Sequence, residues 1–223
     1  MDNLDKLKKF RRDIEIIDSS QAETAELPGE WVEIFKEDNM IKRKDKVVEI
    51  WKENISNELP LLVGYLEKNI QTVDLIKSAG KYSMLYGIRM ETGETDYFEG
   101  RSTKESVSHE LLNGMPQKLK NFYLNVHNGF IYFCGGKLGI LPVDKAAHFS
   151  EYEWEIIDEL EQPLQLNLET TYGFFGNGGG DYLAVDYNNC EDDKATLWYH
   201  DDDPFYNINF WEEADSWITA NFK

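Results

Sequence analysis

The sequence predicts an α+β protein: an antiparallel or mixed sheet with helices packed on one side, preceded by a helical N-terminal region. Three observations carry this reading. Apolar residues recur every three or four positions through residues 1–80, the period shortens to two after Lys81, and residues 130–209 break into short β-prone runs before a closing amphipathic stretch. Strands joined by short turns favour antiparallel pairing and leave the helices one face of the sheet to cover. Residues 1–80 are accordingly expected as a helical N-terminal region and residues 81–223 as the α+β domain.

In chain order, Leu7, Phe10, Ile14 and Ile17 mark a first helix, and Leu27-Pro28-Gly29 breaks it. Trp31, Ile34 and Phe35 open a second, and Val47, Ile50, Trp51 and Ile55 a third. Pro60 suits the first turn of a fourth, which Leu62, Val63, Leu66, Ile70 and Val73 extend towards Gly80. Tyr82, Met84, Tyr86, Ile88 and Met90 then alternate as a strand, Glu91 to Glu94 form a turn, and Thr95 to Phe98 return as a hairpin. Between Lys104 and Asn128 helical spacing resumes, divided at Gly114 and Pro116, with Leu119, Phe122, Tyr123 and Val126 on one apolar face and Asn128-Gly129 as a left-handed stop. Strands are expected at 130–133, 138–141, 164–168, 172–175, 181–187 and 195–199. Phe210, Trp211, Ala214, Trp217 and Ile218 signal the final helix.

At 223 residues with 41% hydrophobic content, the chain can bury a substantial core. No apolar run approaches the length of a membrane span, and the first residues alternate charge without an apolar signal core. Cys134 and Cys190 lack CxxC spacing and read as reduced thiols, so a cytoplasmic location is expected. Charge is the most informative property. Residues 150–223 hold 18 of the 42 acids and only Lys194 and Lys223 as bases, a net of −16, whereas residues 1–149 hold 24 acids and 21 bases, a net of −3. Such segregation repels nucleic acid and anionic membranes and speeds encounter with a basic protein.

Catalytic signatures are missing from this pattern. Gly176-Asn177-Gly178-Gly179-Gly180-Asp181 leads into a strand instead of a helix and ends on an acid, so it reads as a tight turn and not a phosphate loop. The clusters Glu191-Asp192-Asp193 and Asp201-Asp202-Asp203 lack the alternating calcium-loop spacing. His109, His127, His148 and His200 are dispersed; His127 is expected against helix-terminal carbonyls, and His200, beside three aspartates, is expected to hold its proton more tightly. No catalytic residue, metal or cofactor is expected.

Five segments, taken in order, resemble the SUKH superfamily of Smi–Knr-like proteins. They are Met115-Pro116-Gln117-Lys118-Leu119-Lys120-Asn121-Phe122 with Asn128-Gly129; Gly139-Ile140-Leu141-Pro142-Val143-Asp144; Phe174 to Asp186 around the glycine turn; Leu197-Trp198-Tyr199-His200-Asp201-Asp202; and Phe210 through Trp217-Ile218. Met115 stands where Leu is usual, and about 30 residues separate the two middle blocks, a looser spacing than usual. The resemblance implies a non-enzymatic α+β scaffold over residues 81–223. It also implies an immunity-type role, binding and neutralising a secreted polymorphic toxin, commonly a nuclease; a fungal relative instead regulates through protein partners, which leaves a regulatory scaffold as the alternative. A nuclease needs a basic surface to hold phosphates, which suits the acidic C-terminal third. Candidate partner-binding residues are the acidic and aromatic positions Glu191, Asp192, Asp193, Trp198, Asp201, Asp202, Asp203 and Tyr206.

Overall fold

The computed structural model describes residues 7–22, 25–104 and 109–223. A helical turn, α1 (Ser19–Ala22), precedes α2 (Gly29–Phe35), α3 (Met40–Ile55) and α4 (Pro60–Asn69). Each helix begins where the sequence offers a stop to the preceding chain. Pro28 stands ahead of α2, and the Asn39 side chain accepts the amides of Ile41 and Lys42 at 3.0 and 3.2 Å to cap α3. Pro60 opens α4 without a local cap. The free amides of Leu61 and Leu62 instead donate, at 2.8 and 2.7 Å, to the carboxylate of Asp215, more than 150 residues away.

The strands form one antiparallel sheet. β1 (Glu15–Ile16) sits at one edge, followed by β2 (Ile70–Ser78), β3 (Lys81–Arg89), β4 (Thr95–Arg101), β5 (Phe130–Tyr132), β6 (Leu138–Ile140), β8 (Thr171–Asn177), β9 (Tyr182–Asp186), β10 (Lys194–Trp198) and β11 (Phe205–Asn209), with β7 (Ala147–His148) paired to β8. The connections also carry α5 (His109–Gly114) and α6 (Gln117–Asn125), and α7 (Phe210–Ala220) closes the chain. The hairpin over Tyr82–Phe98 and the divided helical stretch after Lys104 lie where the apolar spacing placed them; residues 105–108 fall outside the described residues.

Four expectations about secondary structure are corrected. The first helix read through Leu7, Phe10, Ile14 and Ile17 does not form: after Leu7 the chain turns, and Glu15–Ile16 pair with β2 as an edge strand. Ile70–Ser78, read as the end of the fourth helix, is the longest partner of β3, because Ile70, Val73 and Leu75 face the helices while Ile76 faces the other side. A strand buried on both faces loses the alternation that would betray it. Residues 164–168 are not a strand; they cross the sheet as irregular chain and enter a 3-10 turn at Leu168–Thr170. β11 went unread, since Asn207 breaks its pattern with a positive φ of 58°.

The helices cover one face of the sheet. Trp31, Trp51, Leu62, Leu66, Phe122, Trp211 and Ile218 pack with Val73, Met84, Tyr86, Phe98, Phe130, Leu183 and Val185 in one continuous core that runs from Ala22 to Phe222. The opposite face is covered by irregular chain at its two ends. Leu7 and Ile14 close over Ile76, Leu85, Tyr97 and Phe133, and the segment 147–168 closes over Ala184 and Trp198. At the centre of the helical face, Trp51 Nε1 donates to the Tyr86 hydroxyl at 3.2 Å, and that hydroxyl lies 2.6 Å from His127 Nε2. His127 is therefore a core residue ringed by Trp31, Trp51 and Phe130, with only its backbone amide on the helix-terminal carbonyl of Phe122. Gly100 makes room for it: a Cβ there would stand 2.5 Å from the imidazole.

Candidate protein-interaction site

β9 and β10 pair so that Trp198 lies opposite Tyr182, which brings the chain after β10 beside the glycine turn before β9. Positive φ at Gly178 and Gly180 lets that turn close in three residues. Asn177 Oδ1 accepts the amides of Gly179 and Asp181 at 2.7 and 3.1 Å, and its Nδ2 donates to Asp181 Oδ2 at 2.5 Å. Thus fixed, Asp181 Oδ1 accepts from the His200 amide at 3.1 Å and lies 2.7 Å from its Nδ1. His200 holds its proton more tightly than a free histidine, chiefly through the Asp181 hydrogen bond and then through Asp201, whose Oδ2 is 3.7 Å from Nε2. The raised proton affinity was foreseen; its main source, 19 positions upstream, was not.

Asp201, Asp202 and Asp203 form the turn from β10 into β11. Asp202 Oδ1 caps the Asp203 amide at 2.8 Å, and among the described residues no Lys or Arg pairs with any of the three. Phe205 stands beside them with 60% of its surface exposed, edge-on to Tyr199 at 6.0 Å. Tyr206 is half-buried; its hydroxyl is 3.5 Å from the Gln165 amide, and burial raises its pKa. The segment 151–161 packs Trp154 against Trp198 and Tyr182 at this same end, leaving Glu151, Glu153 and Glu155 exposed.

The remaining candidates lie elsewhere. Trp198 is 0% exposed, held between Phe149 and Trp154, so it is a core residue and offers no side chain to a partner. It points away from Leu197, which joins the helical core: on a strand covered on both faces, an aromatic cannot be assigned to the surface by composition. Glu191, Asp192 and Asp193 form a 3-10 turn before β10, at least roughly 17 Å from the Asp201–Asp203 turn across a five-residue strand. Asp193 is held there by Lys118, 2.6 Å away, which also lies 3.6 Å from Glu58. The Asp193 hydrogen bond in turn raises the Lys118 pKa.

The candidate set thus divides into Asp201, Asp202, Asp203 and Tyr206 at one end of β10 and Glu191, Asp192 and Asp193 at the other. Phe205 is the exposed aromatic that the sequence reading missed; its neighbourhood, three aspartates followed by Pro204, was the available signal. Asp181, His200 and Asp201 each offer one metal-ligating atom within 4.8 Å of the others, but the imidazole and the Asp181 carboxylate already satisfy one another. Among the described residues no helix is long and apolar enough to cross a membrane. β11 is an edge strand, yet its positive-φ Asn207 and a register shift against β10 leave little straight backbone for another strand to pair with. A partner would therefore meet side chains here.

Comparison with known proteins adds one result. Residues 105–219 match the SMI1 / KNR4 family (SUKH-1), a span that contains all five segments quoted from the sequence. No curated protein and no solved structure matches the chain.

Proposed function

The chain belongs to the SMI1 / KNR4 family (SUKH-1), and from that premise we propose that it is a non-enzymatic, cytoplasmic immunity-type protein that binds and neutralises a cognate toxin, a nuclease with a basic surface. Proteins of this family commonly serve as toxin-immunity proteins. One observation supports the reading at a place on this molecule: the Asp201–Asp203 turn, without a Lys or Arg partner among the described residues, leads directly into the exposed Phe205. An apolar anchor supplies desolvation energy at the centre of a contact, and the charges around it supply steering and selectivity. A phosphate-binding groove on the toxin is the complementary surface, and occluding it would abolish substrate binding.

Residues 1–80, which supply strands β1 and β2 along with the first helices, belong in this reading to the scaffold, and residues 81–223 to the region that meets the partner. The test is co-expression with the product of the neighbouring toxin gene, followed by purification at low and at high salt. A complex that forms at low salt, weakens with added salt and suppresses nuclease activity supports the proposal. No complex at low salt removes it. Capture of a different protein, with no toxin gene adjacent, would transfer the same surface to a regulatory scaffold.

A further inference from the structure

Between the two irregular covers of the sheet, on the face away from the helices, opens a groove of about 760 Å³ reached by Arg11 from one side and Tyr152 from the other. Its charge opposes that of the molecule. Arg11, Lys81, Arg101, Lys137 and Lys145 line it, against Glu99 and Asp181, in a chain with a net charge of −19. Such an inversion, enclosed by low-dielectric walls, concentrates small anions.

We propose that this groove binds a small phosphorylated ligand, a role separate from the acidic protein contact. Charge density favours phosphate over carboxylate: a phosphate group concentrates close to two negative charges where a carboxylate carries one, and gains more from neighbouring point cations. Both guanidinium groups already face an acid: Arg11 Nη2 lies 2.5 Å from Glu99 Oε2, an ion pair off the N–H axis, and Arg101 Nη1 lies 3.0 Å from Asp144 Oδ1. Lys81 pairs with the other Asp144 oxygen at 2.9 Å. Lys137 makes no ion pair among the described residues, and Lys145 touches only the field of Asp144. The uncommitted charges are thus two lysines, point charges of the kind that bind phosphate without a fork.

The walls fit a small ligand better than an acidic chain. Asp181, the other acid, is engaged by His200 and Asn177, so its charge is spent in part within the turn. Tyr152, 48% exposed, and Tyr182 add flat apolar surface to the lining. Gly178, Gly179 and Gly180 line the rim and put no side chain of their own across the opening. The volume falls in the range of roughly 300–1,000 Å³ usual for small-molecule sites.

The experiment titrates the full chain with inorganic pyrophosphate by calorimetry, alongside citrate, a poly-glutamate peptide and a nucleoside diphosphate. Pyrophosphate should bind, and citrate should bind at least about tenfold more weakly, since its carboxylates each carry a single, more dispersed charge. The exposed pair Lys137→Glu and Lys145→Glu should weaken pyrophosphate by at least about tenfold while leaving the thermal midpoint of the free protein unchanged. A nucleoside diphosphate binding more tightly than pyrophosphate, with the gain removed by Tyr152→Ala, would support the site and show that the rings take part. The proposal is overturned by no heat at millimolar pyrophosphate, by binding that the double variant leaves intact, or by citrate or the poly-glutamate peptide binding more tightly than pyrophosphate. No toxin enters the experiment, so its failure leaves the immunity reading untouched.

Discussion

Two nearly identical acidic triplets flank β10, and the fold uses them differently. Glu191-Asp192-Asp193 precedes the strand as a 3-10 turn in which Asp192 and Asp193 take positive φ values of 57° and 61°, and Lys118 fastens Asp193 to the first turn of α6. Asp201-Asp202-Asp203 follows the strand with no Lys or Arg attached among the described residues and an exposed phenylalanine beside it. The first triplet spends part of its charge internally to position a turn. The second leaves its charge to the solvent, where it is available to a partner. Acidity in the sequence therefore marks a region, and the placement of one lysine decides which part of the region can act.

Charge reversal tests the division most severely. Replacing Asp201, Asp202 and Asp203 together by Lys should slow association with the toxin about 100-fold at low salt, and high salt should erase most of the difference. Stopped-flow mixing of variant and toxin measures it, with the melting temperature as the check on folding. The corresponding Glu191→Lys and Asp192→Lys pair should slow association by no more than about threefold. Equal effects at the two ends would dissolve the contrast and place the contact across the whole of β10.

The two informative histidines repeat the contrast, one inside and one outside. His200 gains proton affinity from Asp181, whereas burial pushes His127 down to about 3 from its ordinary 6.5. The folded protein therefore keeps His127 neutral where the unfolded chain takes up a proton. Stability falls as pH drops below 6.5 and continues to fall towards 3, so at pH 5 the loss from this group is about 2 kcal/mol relative to pH 7. Asp74 and Asp215, raised by burial, act with the opposite sign, which makes the comparison of variant with parent the decisive one. Urea unfolding of His127→Gln at pH 7 and pH 5 should show a smaller acid-induced loss than the parent. A parallel loss in both would mean that His127 does not carry the acid sensitivity.

Phe205 should matter next. Phe205→Ala should raise the dissociation constant for the toxin about tenfold, mainly through faster dissociation and with the salt dependence unchanged. Surface plasmon resonance at two salt concentrations separates this from the steering effect of the aspartates. A change confined to the association rate would show that the ring is a bystander.

The legibility of these features follows burial. Helices with one wet face, such as α3 with Val47, Trp51 and Ile55 turned inward, announce themselves in spacing, and so does the hairpin from Lys81 to Arg101. β2 did not, because the chain around Leu7 and Ile14 covers its second face and removes the polar alternation. Trp198 was open to misplacement for the same reason: residues 147–168, with no regular period of their own, cover the outer face of β8–β10. The family blocks were readable in order across residues 115–218, within the matched 105–219. The pairing of Asp181 with His200 and of Lys118 with Asp193 was not, since the first joins residues 19 positions apart through strand register and the second residues 75 apart through the packing of α6 on the sheet.

The smallest expected effect bears on the tether itself. If Lys118 serves the Glu191–Asp193 turn and not the partner, Lys118→Ala should cost no more than about 1 kcal/mol, because the ammonium is half exposed and its gain is screened by water. Association with the toxin should if anything quicken slightly, since the variant unmasks one more carboxylate on an already anionic end. Chemical denaturation and stopped-flow mixing of the same preparation read both quantities. A markedly slower association, with stability unchanged, would mean that Lys118 contacts the partner, and the end of β10 that Asp193 occupies would then belong to the interface after all.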